Sequence, residues 1–106
     1  MLTLWGAINA DGSINSSSGG FSVTNQGPGQ YVLSFRTLFN SVPAIVGSQT
    51  NFGTIVEMNT DGVVFPFVNT GSATVITGDN KGNQGNRSFS FIAVGDAGAN
   101  NPQFKA

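Results

Sequence analysis

The 106 residues include four Lys and Arg, five Asp and Glu and a net charge of −1, with neither Cys nor His. A chain of this size builds one domain around one core, and the missing side chains exclude disulfides, thiolate or imidazole zinc sites, Ser-His-Asp and Cys-His nucleophiles and the usual general base near neutral pH. Charged residues are 8% of the chain, about a third of the usual ~25%, and so few cations leave almost no counterion release to drive nucleic-acid binding.

Water must therefore be met by neutral polar groups: twelve Asn, eleven Ser, nine Thr and five Gln. Such a surface suits subunit contact and sugar hydroxyls better than phosphate. No apolar run is long enough for a membrane-spanning helix. The opening Met1-Leu2-Thr3-Leu4-Trp5 has no basic stretch and soon meets Gly6, so it does not read as a secretory signal.

β signals recur about every ten residues between Gly, Asn, Asp and Pro clusters, and almost no helix is expected. Leu2 to Ile8 is the first strand, with Leu2, Leu4 and Ile8 on one face and Trp5 on the other. Asn9-Ala10-Asp11-Gly12 follows, a tight-hairpin sequence that returns as Asn59-Thr60-Asp61-Gly62. Ser16 to Gly20 reads as a polar loop, Phe21 to Thr24 as a short strand, and Asn25-Gln26-Gly27-Pro28-Gly29 as a turn. In Gln30 to Thr37, Tyr31, Leu33 and Phe35 alternate with Gln30, Val32, Ser34 and Arg36 and define a core face. Phe39, Val42 and Pro43 form an irregular crossover into Ala44 to Gln49. Four more strands are expected at Thr54 to Met58, Val63 to Val68, Ala73 to Thr77 and Ser88 to Val94. Phe52, beside Asn51 and Gly53, falls in a turn. The domain thus runs over 1–95, with 96–106 as an extended or mobile tail.

Two strands are apolar on both alternating sets: Val63, Phe65 and Phe67 against Val64, Pro66 and Val68, and similarly Phe89 to Val94. Such a strand needs two covers. The facing sheet of a sandwich supplies one, and a neighbouring subunit is the simplest source of the other. Pro66 also places its strand at an edge or a bulge.

Of the acids, Asp11 and Asp61 are accounted for by their turns, leaving Glu57, Asp79 and Asp96 without visible pairing for two-carboxylate hydrolysis. The longest polar loop, from Gly78 to Asn86, lacks the helix that a phosphate cradle needs and the later acids of a calcium loop. As a hydrogen-bonding surface it offers Asp79, Asn80, Lys81, Asn83, Asn86 and then Arg87 to paired sugar hydroxyls. Trp5, the only tryptophan, would supply an aromatic face if the first strand passes nearby. No cofactor is implied.

At Gly27-x-Gly29-x-Tyr31-x-Leu33-x-Phe35, then Phe39-x-x-Val42-Pro43-Ala44-Ile45-Val46, and at Phe89-Ser90-Phe91-Ile92-Ala93-Val94-Gly95, the chain resembles small β-sandwich domains at the ends of bacteriophage tail fibres and bacterial surface fibres. Its strand grammar is similar to that of the H-type lectins, and its Gly-x-Tyr-x-Leu-x-Phe step to C1q and tumour-necrosis-factor-like domains. The resemblance spans most of the chain and rests on apolar strand residues. It implies an antiparallel β-sandwich of jelly-roll or H-type-lectin kind with seven or eight strands. It also implies homotrimeric assembly, binding to a glycan or cell-surface receptor, and a place on a virion tail fibre or another extracellular particle. The expected protein is a non-catalytic adhesion or interaction module; a purely structural trimerisation cap and, further off, a carboxylate-based glycan hydrolase or lyase using Glu57 and Asp79 are the alternatives.

Overall fold

A computed structural model of the chain describes residues 1–50 and 59–97. They form eight strands and no helix: β1 Leu2–Ile8, β2 Ile14–Ser17, β3 Phe21–Gly27, β4 Gln30–Phe35, β5 Ala44–Gln49, β6 Gly62–Val68, β7 Ser72–Gly78 and β8 Phe89–Gly95. Two four-stranded antiparallel sheets result, one ordered β2-β1-β8-β5 and the other β3-β4-β7-β6. The expected β-sandwich is what forms.

Period-two alternation is read out directly as burial. Leu4 and Ile8 of β1, Tyr31, Leu33 and Phe35 of β4, Ala73 and Val75 of β7, and Phe89, Phe91 and Ala93 of β8 point into one core, because successive side chains of a strand leave on opposite faces. Phe21 meets Phe91 edge-on at 5.0 Å, and Tyr31 meets Phe89 at 5.0 Å. Both pairs join one sheet to the other, and each adds roughly 0.5–1.5 kcal/mol beyond area burial.

Pro66 behaves as its missing N–H requires. β6 is an edge strand, and its register against β7 slips between Val64 and Phe67. The serine run differs from expectation: Ser16 and Ser17 are strand, paired with Ala7 and Gly6. Their side chains are polar because β2 is an outer strand with little to cover, and a polar outer strand and a loop look alike in sequence. Likewise β3 runs on through Asn25 to Gly27, where a register shift bends it into the Pro28-Gly29 turn.

Residues 96 and 97 are less free than a tail. Asn40 N–H donates to the Asp96 carbonyl at 2.7 Å, and Phe39 and Ala97 form a β-bridge. The expected strand Thr54 to Met58, Phe52, Glu57 and the rest of the tail lie outside the described residues.

Candidate functional site

The polar loop after β7 is built as a turn locked from within. Asp79 Oδ1 accepts from the N–H groups of Lys81 and Asn83 at 2.8 and 2.9 Å, and Oδ2 accepts from Asn83 Nδ2 at 3.0 Å. These donors, the Asn83 side chain foremost, hold the Asp79 carboxyl below its ordinary value, with the Arg87 charge adding a little. Asp79 and Asn83 are thus engaged in closing their own turn, while Asn80 and Lys81 side chains make no hydrogen bond to the described residues.

The loop is then sewn to the second sheet. Asn86 Oδ1 accepts from Gly29 N–H at 2.8 Å, Gln30 Nε2 donates to Gln84 Oε1 at 2.7 Å, and Thr77 Oγ1 donates to the Gly85 carbonyl at 2.7 Å. Gly29 makes this possible. Its φ is +72°, and a Cβ there would run into the Thr77 carbonyl and stand 2.7 Å from Gly85 N. Beside the loop lies a cavity of about 370 Å³ whose lining includes Val64, Ile76, Thr77, Asp79 and Gln84. The Thr77, Asp79 and Gln84 side chains already hold bonds within the fold.

Arg87 reaches the other way. Its Nη1 pairs with Asp61 Oδ2 at 2.6 Å and donates to Gln49 Oε1 at 3.4 Å, while Gln49 Nε2 donates to the carbonyls of Gly62 and Gly78 at 3.0 and 2.7 Å. The Asp61 side chain is 2% exposed. This network ties the end of β5 to the hairpin of β6 and β7. Among the described residues no cluster of three or more His, Cys, Asp or Glu is placed to hold a metal ion.

Trp5 does not join the loop. It stands mid-strand on the outer face of the first sheet, three residues, or roughly 10 Å, from Ile8, whose partner Phe89 marks where Arg87 enters β8. Across that face the registers Trp5↔Ile92 and Ile92↔Val46 set three apolar side chains in one row over β1, β8 and β5. They are 43%, 47% and 68% exposed. Neutral rows flank it, Thr3, Val94 and Ala44 on one side and Ala7, Ser90 and Ser48 on the other. Both alternating sets of β8 are largely apolar in the sequence, but nothing local to it aligns Ile92 with Trp5, since register is set by pairing between strands far apart in the chain.

The outward set of β6 is also uncovered in the single chain: Val64 is 54% and Phe67 70% exposed, while Val63, Phe65 and Val68 pack against the core. No family model matches the chain, nor does any curated protein or solved structure.

Proposed function

We propose that this domain is a non-catalytic interaction module that works as an assembly of identical copies. The carrying observation is the row Trp5, Ile92 and Val46, exposed on the outer face of a sheet whose inner face already forms the core. An apolar row on an otherwise neutral sheet face favours contact with another protein surface, and the doubly apolar β6 asks for the same second cover. A homotrimer is the assembly that the resemblance to fibre-tip, H-type lectin and C1q-like domains implies, and presentation on a virion fibre or another extracellular particle belongs to the same reading.

Absence of His and Cys from the whole sequence supports a role without catalysis, and Asp11, Asp61 and Asp79 are each held by bonds inside the fold. The locked loop with Asn80 and Lys81 at its apex is the surface we assign to a neutral glycan or a receptor, a rigid platform losing little entropy on binding. Light scattering at tens of micromolar tests assembly: three chain masses are expected, and a monomer overturns the reading. A glycan array with wild type and the Asn80→Ala/Lys81→Ala pair tests the ligand surface. Binding lost in the pair supports it, and an array without signal leaves the structural cap as the role.

A further inference from the structure

The first sheet's outer face carries a projecting aromatic ring, and the neighbouring side of the molecule carries a hole. β5 and β6 are the edge strands of opposite sheets, and between them opens a cleft of about 550 Å³, within the range of small-ligand clefts, about 300–1,000 Å³. Its floor is Ile45, Phe65 and Val68, which pack against the core. Phe65 can enter from the second sheet because Gly47 lacks a side chain: a Cβ there would stand 2.8 Å from Phe65 Cζ. The rim is Val42, Val46 and Val64, all exposed. Such a slot has apolar walls and no charged lining residue.

We propose that the Trp5 indole of one copy seats in the cleft between β5 and β6 of the next. The inference rests on the reading of the domain as a self-assembling module and names the surfaces that meet. Trp5 cannot fill the cleft of its own chain, because β1 lies two strands from β5, roughly 10 Å across the sheet, and the ring leaves from the outer face. Neither surface carries charge, which disfavours a charged peptide, nucleic acid or anionic membrane and suits a surface of the same composition.

The areas are of a size to meet. Trp5 and Ile92 at their observed exposure present on the order of 200 Å² of apolar surface. Val42, Val46 and Val64 at the rim of the cleft present on the order of 300 Å². At the usual ~57% apolar content the two facets together correspond to ~900 Å² per contact, close to the ~1,000 Å² at which specific interfaces begin. A knob on one side and a hole on another make a head-to-tail contact, which repeats from copy to copy and gives a ring where the rotation between copies closes, unlike a twofold contact that stops at a dimer.

A lone tryptophan is its own reporter. Emission of Trp5 is expected to move to shorter wavelength as concentration rises through the assembly range, in step with mass from sedimentation equilibrium. Trp5→Ala and Val64→Asp, each verified as folded by circular dichroism and thermal melting, should each weaken association at least ~30-fold, the mark of a central aromatic anchor. Thr24→Lys, on the outer face of the other sheet, should leave it unchanged. Mixing Trp5→Ala with Val64→Asp should recover a heterodimer, since the first retains an intact cleft and the second an intact indole.

A monomeric wild type overturns both the assembly reading and this contact. Wild type that assembles while Trp5→Ala assembles equally well overturns the contact alone. Two folded, monomeric variants that fail to form a heterodimer overturn the knob-in-hole arrangement in favour of one self-matching patch.

Discussion

The Tyr31 hydroxyl donates to the Ala10 carbonyl at 2.7 Å, so a ring buried near the start of β4 holds the turn that follows β1. The same oxygen accepts from Arg87 N–H at 3.2 Å. One phenol therefore fastens the turn after β1 and the approach to β8 from beneath. Burial raises the Tyr31 pKa above its ordinary value, against the opposing pull of its hydrogen bonds.

Tyr31→Phe retains the packing against Phe89 and removes only the oxygen. Two backbone groups lose a partner, and the expected cost is about 1–3 kcal/mol. Urea unfolding should show a lower midpoint with an unchanged slope. A midpoint within error of wild type would mean that water replaces the phenol at no cost.

Gly29→Ala and Gly27→Ala separate conformation from composition. At Gly29 the backbone is left-handed and a Cβ collides with the Thr77 carbonyl, whereas nothing lies within 4 Å of a Cβ at Gly27. The first substitution should cost about 1–3 kcal/mol and the second should stay within about 0.5 kcal/mol. Thermal melting of the pair decides it; equal shifts would remove the argument for a tight seam between Gly29 and Gly85.

Arg87→Met takes the cation from Asp61, whose side chain is almost wholly enclosed. Removing one partner of a buried pair costs about 3–5 kcal/mol. Because Arg87 itself is a quarter exposed, water already screens the pair and about 2–3 kcal/mol is expected. Asp61→Asn in the Arg87→Met background should recover part of the loss, and a double-mutant cycle measures how much.

Asp11 and Asp79 contribute to the acid side of stability. Ser13, through its hydroxyl and its N–H, lowers the Asp11 pKa, as the Asn83 and Lys81 donors lower that of Asp79. A carboxyl lowered in the folded state contributes stability that is complete well above the ordinary value of 3.8. That contribution is lost as pH falls through the lowered folded value. Melting temperature should therefore drop below about pH 4, less steeply in Asp79→Asn. Both groups are exposed, so the effect is small, and an identical acid limb in the variant would show that the turn holds without the charge.

Legibility followed the range of the interaction. Alternation at Tyr31, Leu33 and Phe35 is visible in eight consecutive residues because the strand backbone sends neighbours to opposite faces, and it became the core face without correction. Pro66 could be placed at an edge because its missing donor is a property of the residue itself. Ser16 and Ser17 misled because a polar outer strand has no apolar side to reveal it. In the candidate site, the sequence marked the loop but not its ties: Asn86 finds Gly29 57 residues away, and Gln84 finds Gln30 54 residues away.

By itself, then, the order of residues determined an all-β domain, its inward faces and the absence of imidazole and thiol chemistry. Tertiary structure alone decided that Asp79 and Asn83 close a turn, that Arg87 faces a buried Asp61, and that Trp5 lies in register with Ile92 and Val46. The reason is that apolar side chains announce burial by a local period, whereas neutral polar groups are equally satisfied by water or by one another. Only the pairing of distant strands selects between those two.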